Sequence, residues 1–289
     1  MTPGGGGPAA STMRLPDCRE LSWQEYGDPH GQAVIYCHGM PGSRLEPGLF
    51  GELAATRNLR IIAPDRPGYG GSTPQPRRVV PDFAADISHL LNRLELAQAS
   101  FLGFSGGGPY ALACGARFPE RTRHLTLVSS WAPLAATGTQ GMADDLQQLW
   151  QLAATDFPTF SDALAAALRA AGSPYQMLVG GAQSVDQEVF ADPTIAAVYE
   201  RNLAEGMHNG LEGMLEDVQA LLQDWDVRLV DIHCPVTLWH GDVDGNAPIS
   251  MGRWLAAQLR HAELTEWPGS GHFEAFRRWD TILDAVAAH

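Results

Sequence analysis

Gly103-Phe104-Ser105-Gly106-Gly107-Gly108-Pro109, with the apolar run Ala99-Ser100-Phe101-Leu102 before it and Tyr110-Ala111-Leu112-Ala113-Cys114 after it, is the stretch on which the fold is decided. An apolar strand pattern meets an Ala-rich helical pattern with glycines and one serine between them, so Ser105 occupies a sharp strand-to-helix turn. The serine backbone is strained at such a turn, and the residues two before and two after it must be small for strand and helix to cross closely. The G-x-S-x-G spacing of residues 103–107 is that of a nucleophile elbow. The serine Oγ stands clear of the sheet edge, and the following helix aims free N–H groups at the same point. Gly106 N–H is then a donor for a developing oxyanion. Taken alone, the motif also fits a plain Gly-rich loop, so the reading depends on partners elsewhere in the chain.

Upstream, residues 19–26 alternate like a half-buried strand after a hairpin corner at Leu15-Pro16-Asp17-Cys18. Ala33-Val34-Ile35-Tyr36-Cys37 is continuously apolar, as expected of a parallel strand covered on both faces, and runs into His38-Gly39-Met40-Pro41-Gly42. Leu59-Arg60-Ile61-Ile62-Ala63 repeats the pattern before Pro64-Asp65-Arg66-Pro67-Gly68-Tyr69-Gly70. Asp82 is placed to cap a helix running to Leu96. Downstream, His124-Leu125-Thr126-Leu127-Val128-Ser129 is another strand. Strand and helix alternate, which predicts an α/β fold around a mostly parallel sheet flanked by helices.

From Trp131 the alternation stops. Met142, Leu146, Leu149 and Leu152 share a helical face, Ser161 and Asp192-Pro193 read as helix starts, and Asn209-Gly210-Leu211-Glu212 resembles a capping box. This block reads as a helical insertion. The α/β rhythm returns with Pro235-Val236-Thr237-Leu238-Trp239, a helix over residues 249–259, the short strand Glu263-Leu264-Thr265-Glu266 and a last helix after His272.

Composition narrows the chemistry. In 289 residues, 45% of them hydrophobic, there is material for a large core, and no apolar run is long enough for a membrane span. The uncharged, Gly-rich start, Met1-Thr2-Pro3-Gly4, lacks the features of a signal peptide and reads as a disordered tail. Four scattered cysteines without a CxxC imply reduced thiols and a cytoplasmic location. All 19 basic residues are arginine, which excludes a P-loop lysine, a pyridoxal Schiff base and any lysine general base. The net charge of −14 is uneven: residues 132–231 hold 15 acids against Arg169, Arg201 and Arg228. Such a balance disfavours nucleic acid and anionic membranes as partners and leaves a small-molecule substrate.

A serine nucleophile needs a base, itself oriented by a carboxylate. The loop after the strand at 236–239 is His240-Gly241-Asp242-Val243-Asp244, and the loop after the last strand is Pro268-Gly269-Ser270-Gly271-His272-Phe273. Both lie at C-terminal strand ends, on the edge that carries Ser105. No His, Asp or Glu cluster has metal-ligand spacing, so no metal and no cofactor is expected.

Five pieces in this order, His38-Gly39-Met40-Pro41-Gly42, Asp65-Arg66-Pro67-Gly68-Tyr69-Gly70, Gly103-Phe104-Ser105-Gly106-Gly107, Gly241-Asp242-Val243-Asp244 and Gly271-His272-Phe273, resemble the α/β-hydrolase fold superfamily. The resemblance implies Ser105 as nucleophile, His272 as base and then acid, and Asp244 rather than Asp242 as the orienting carboxylate. It implies an oxyanion hole made by the N–H groups of Met40 and Gly106, with His38 holding that loop. It divides the chain into a tail at 1–11, a core at 12–131 and 231–289, and a helical lid at 132–230; Trp131 at the end of the first core segment and Trp150, Phe157 and Phe160 of the lid are candidates to line an apolar pocket. The expected function is a cofactor-free serine hydrolase acting on a carboxylic ester. The alternatives are a prolyl-aminopeptidase-like enzyme, with Glu200 or Glu205 holding a substrate ammonium, and a ligand-binding receptor of low turnover.

Overall fold

The computed structural model describes residues 10–289, so most of the expected tail lies outside the described residues. Its boundary is nonetheless corrected: Ser11 already belongs to a strand. Ser11–Arg14 (β1) pairs antiparallel with Glu20–Gly27 (β2), Ser11 opposite Trp23, so residues 15–18 do turn a hairpin. There follow Gln32–Cys37 (β3), Gly51–Ala55 (α1), Leu59–Pro64 (β4), Asp82–Arg93 (α2), Ala99–Phe104 (β5), Gly108–Arg117 (α3) and Thr122–Val128 (β6).

Next come helices alone: Leu134–Thr137 (α4), Asp144–Thr155 (α5), Phe157–Ala171 (α6), Pro174–Gly180 (α7), Ser184–Gln187 (α8), Pro193–Gly206 (α9) and Glu212–Leu222 (α10). Val236–Gly241 (β7), Ile249–Gln258 (α11), Ala262–Trp267 (β8) and Trp279–Ala287 (α12) complete the chain. The sheet order is β1-β2-β4-β3-β5-β6-β7-β8, parallel from β4 to β8 and antiparallel only at the β1-β2-β4 edge.

The continuous apolar runs follow from burial on both faces. Ile35, Cys37, Ile62, Phe101, Leu125 and Leu127 join the core on one side of the sheet; Val34, Tyr36, Ile61, Leu102, Phe104 and Val128 join the other. Pleating sends neighbours to opposite faces, so each strand serves both cores. The parallel strands end on one edge, where the loops after β3, β5, β7 and β8 meet beneath the inserted helices. Among the described residues no helix is long and apolar enough to cross a membrane.

Three helix starts differ from the sequence reading. Asp82 is the first residue of α2 rather than its cap, and its carboxylate instead accepts from Val79 N–H at 3.0 Å. Ser161 lies inside α6, which begins earlier because Asp156 caps it, accepting from Thr159 N–H at 3.2 Å. The capping box at 209–212 does not form. Asn209 turns its amide to Gly70 O at 3.1 Å, so α10 starts without a side-chain cap. The Asp192-Pro193 start of α9 is as expected, with Asp192 accepting from Thr194 N–H at 2.8 Å.

Candidate active site

The turn between β5 and α3 has the shape its glycines imply. Ser105 sits at φ 53°, a left-handed conformation that costs a non-glycine residue roughly 1–3 kcal/mol and persists only where the surroundings enforce it. A Cβ on Gly103 would lie 2.7 Å from Gly108 Cα, and one on Gly107 would lie 2.0 Å from Cys37 O. Strand and helix can therefore cross here only with glycine at both positions. Ser105 is 6% exposed and lies at the floor of a pocket.

Three distant side chains meet on this point. His272 Nε2 is 2.8 Å from Ser105 Oγ, and its Nδ1 is 2.8 Å from Asp244 Oδ2. The second oxygen of Asp244 accepts from the N–H groups of Asn246 and Ala247, each at 2.8 Å, which fixes the carboxylate's rotation. Burial pushes the Asp244 carboxyl up, but His272 and His240 hold it well below the usual range, so it is ionised. For His272 burial favours the neutral ring, and the neighbouring Asp244 outweighs it, raising the imidazole above its ordinary value. Asp242 is exposed and caps a different turn, accepting from Gly269 N–H at 2.7 Å.

The loop after β3 supplies the other wall. Met40 N lies 3.5 Å from where a Cβ on Gly106 would stand, so the two backbones come close together, and Met40 lines the same pocket as Ser105. Gly106 is in the first turn of the helix, where an N–H has no intrahelical partner. Buried groups brace this loop from behind. Arg66 N–H donates to His38 Nε2 at 3.1 Å, which puts the His38 proton on Nδ1, 2.8 Å from Gly39 O. Burial, then the Arg66 charge, keeps His38 neutral. The Arg66 guanidinium donates to His38 O and, at 2.8 Å, to Gly39 O, while Glu46 accepts from Gly39 N–H at 2.8 Å and Tyr36 Oη at 3.1 Å. Burial raises the Glu46 carboxyl to about 7.

The inserted helices roof the pocket and tie into these loops at buried polar points. Asn202 of α9 accepts from Ser43 N–H at 2.8 Å. Asp217 of α10 accepts from Arg66 at 2.7 Å, Tyr69 at 2.8 Å, Arg78 and Tyr110. Asp186 of α8 accepts from Phe273 N–H at 2.8 Å. None of these residues was singled out from the sequence, yet each carried a signal. Met214, Asp217 and Leu221 share one face, as do Asp186, Val189 and Phe190, and Ile195, Tyr199, Asn202 and Gly206. A polar residue inside an apolar helical stripe marks a buried partner.

The pocket has a volume of about 200 Å³, and its walls are mainly apolar, with Trp131, Trp150, Phe160 and Met214 above Ser105 and His272. Phe157, expected beside them, does not line it. As the first residue of α6 it turns onto Phe160, ring centroids 5.5 Å apart, inside the helical layer. Asp145 is the acidic side chain of the inserted helices at the pocket wall, and it is exposed. Glu205 is instead paired with Arg44 at 2.6 Å, and Glu200 faces solvent.

Comparison with known proteins agrees with this geometry. Over 264 residues the chain is 29% identical to a pimeloyl-[acyl-carrier protein] methyl ester esterase of Chromobacterium violaceum, covering 90% of this chain and 94% of that one. It is 28% identical to a proline iminopeptidase of Xylella fastidiosa, over 89% of this chain and 88% of the relative. Among solved structures, a hydrolase from Pseudomonas aeruginosa superposes with a TM-score of 0.73 at 19% identity, over 99% of this chain and 98% of that one, a likeness of fold. Residues 32–276 match the sequence profile of the alpha/beta hydrolase fold, and the chain belongs to that family.

Proposed function

We propose that this protein is a cofactor-free serine hydrolase that cleaves carboxylic esters with a small or medium apolar acyl part. The observation that carries the reading is the hydrogen-bonded line Ser105, His272, Asp244 at the floor of an apolar pocket of about 200 Å³. That volume is below the roughly 300–1,000 Å³ of pockets for drug-sized ligands, which favours a modest substrate.

In this reading Ser105 Oγ attacks the ester carbonyl carbon while His272 Nε2 takes its proton. Asp244 stabilises the imidazolium and holds Nδ1 as the donor. The carbonyl oxygen becomes an oxyanion facing the N–H groups of Gly106 and Met40. Collapse of the tetrahedral intermediate breaks the C–O bond, and His272 returns the proton to the departing alcohol. Water, deprotonated by the same imidazole, then attacks the acyl carbon; the C–Oγ bond to Ser105 breaks, His272 returns the proton to Oγ, and the carboxylic acid leaves. The esterase relative supports this chemistry; the iminopeptidase relative supports an aminopeptidase instead. Against that second reading stand the Glu205 pairing with Arg44 and the absence of Glu200 from the pocket wall.

The test is a fluorophosphonate probe followed by peptide mapping, beside a panel of short and long p-nitrophenyl esters and aminoacyl p-nitroanilides. Labelling at Ser105 and turnover of short neutral esters are expected. A label on another residue would remove the nucleophile assignment, and a preference for prolyl anilide would replace esterase with aminopeptidase. Labelling with negligible turnover of every substrate would favour a receptor.

A further inference from the structure

Besides the exposed Asp242 on Gly269, two buried carboxylates address the loop that carries His272. Asp244 reaches the imidazole from the core; Asp186 reaches the backbone from the inserted helices. Asp186 is 2% exposed and accepts from the N–H of Phe273, the residue after His272, at 2.8 Å. The space for it is built in: a Cβ on Gly271 would come 2.4 Å from Asp186 Oδ1 and 2.7 Å from its Cγ, so only glycine admits the carboxylate there.

We infer that Asp186 is a positioning residue for His272, through which the seating of the inserted helices on the core sets the orientation and charge of the imidazole. The inference rests on the hydrolase reading above for its catalytic meaning. Its physical basis is that the amide Asp186 holds belongs to the residue next to His272, in the same turn of backbone as the imidazole. A change in the Asp186 contact therefore moves the ring relative to Ser105 Oγ, and a misplacement of 1 Å at a reacting group costs about 10²-fold in rate.

The charge acts in the same direction. Asp244 at 2.8 Å, Asp186 and Glu46 all face His272 and favour its protonated form against burial. Asp186 in turn faces His272, Asp244 and the Tyr199 ring, and Asp244 also has His240 Nε2 at 3.4 Å. Removing the Asp186 charge leaves the other groups in place and withdraws one support from the imidazolium.

Asp186→Asn separates geometry from charge, because the amide oxygen still accepts from the Phe273 N–H. Its acid limb in kcat/KM for a neutral p-nitrophenyl ester should move down by about half a pH unit or more, with plateau kcat reduced roughly tenfold. Asp186→Ala loses both contact and charge, and kcat should fall by about 10²-fold while KM changes less than about twofold. Proton NMR of the His272 ring, titrated in the resting protein, should show the same downward shift in Asp186→Asn, with Glu46→Gln as a control for the other buried acid. That measurement needs no substrate, so it stands even if the esterase reading fails. Should the Asp186→Asn pH profile and ring titration superimpose on the parent's, with only the Tm lowered, Asp186 merely fastens the helices and the inference is wrong.

Discussion

At the scale of single residues, the two acids of the loop after β7 are separated by what surrounds them. Asp242 is exposed, whereas Asp244 is buried and uses one oxygen on two amides and the other on His272. In Asp244→Asn the two amides still require an acceptor, so the side-chain oxygen stays on them and the NH₂ turns to His272. The imidazole must then accept at Nδ1 and carry its proton on Nε2, where it cannot take one from Ser105. We expect kcat to fall on the order of 10⁴-fold, as for loss of a triad carboxylate elsewhere, with the fold intact by circular dichroism. Asp242→Asn should cost less than about threefold, since surface changes remote from the pocket are usually near neutral. Steady-state kinetics on one neutral ester rank the pair, and a larger loss at Asp242 would reverse the assignment.

At the scale of elements, α10 sends a buried carboxylate into the core. Asp217 is fully buried and pairs with the equally buried Arg66 and Arg78. Burial alone would raise its carboxyl; the two guanidinium groups hold it well below the usual range. Asp217→Ala leaves two cations unpaired and should cost about 3–5 kcal/mol. Thermal melts should show a drop on the order of 10 °C for a chain of this size. Activity should fall as well, because Arg66 also draws back the carbonyls of His38 and Gly39 behind the Met40 loop; a variant with unchanged melting would show the network to be dispensable. The elements themselves were legible because burial on both faces writes unbroken apolar runs, and the elbow because its steric demands write glycines at 103 and 107. The bracing was not. His38 was read as holding its loop, but nothing local in Asp65-Arg66-Pro67 says that its arginine waits for a carboxylate 151 residues later. One helix start failed for a related reason. Asn209 had a better partner in Gly70 O than in its own helix, and a tertiary contact of that kind leaves no trace in the local pattern.

At the scale of the whole molecule, the acidity concentrated in residues 132–231 could serve the pocket or the solvent. Asp144, Asp162, Asp192, Glu200, Asp224 and Asp226 are exposed, Asp186 and Asp217 are consumed in contacts with the core, and Glu205 is paired with Arg44. Asp145 alone among the acids of this block reaches the pocket wall, at its exposed rim. Ordinary amphipathic packing explains this division, since a helix laid on a core needs a polar face toward water. A neutral butyrate ester should therefore be turned over with a kcat/KM that changes less than about twofold between low and high salt. Exposed charges are screened over roughly 10 Å at 0.1 M, and none of them stabilises an uncharged substrate. A cationic ester of the same acyl group should gain only a modest, salt-sensitive advantage through the rim, and Asp145→Asn should remove it. The comparison needs four kcat/KM values per variant, two substrates at two ionic strengths. A strong salt-dependent preference for the cation that survived Asp145→Asn would mean that other carboxylates of the block face the substrate, and the proposal of a neutral apolar ester would have to give way to an amine-bearing one.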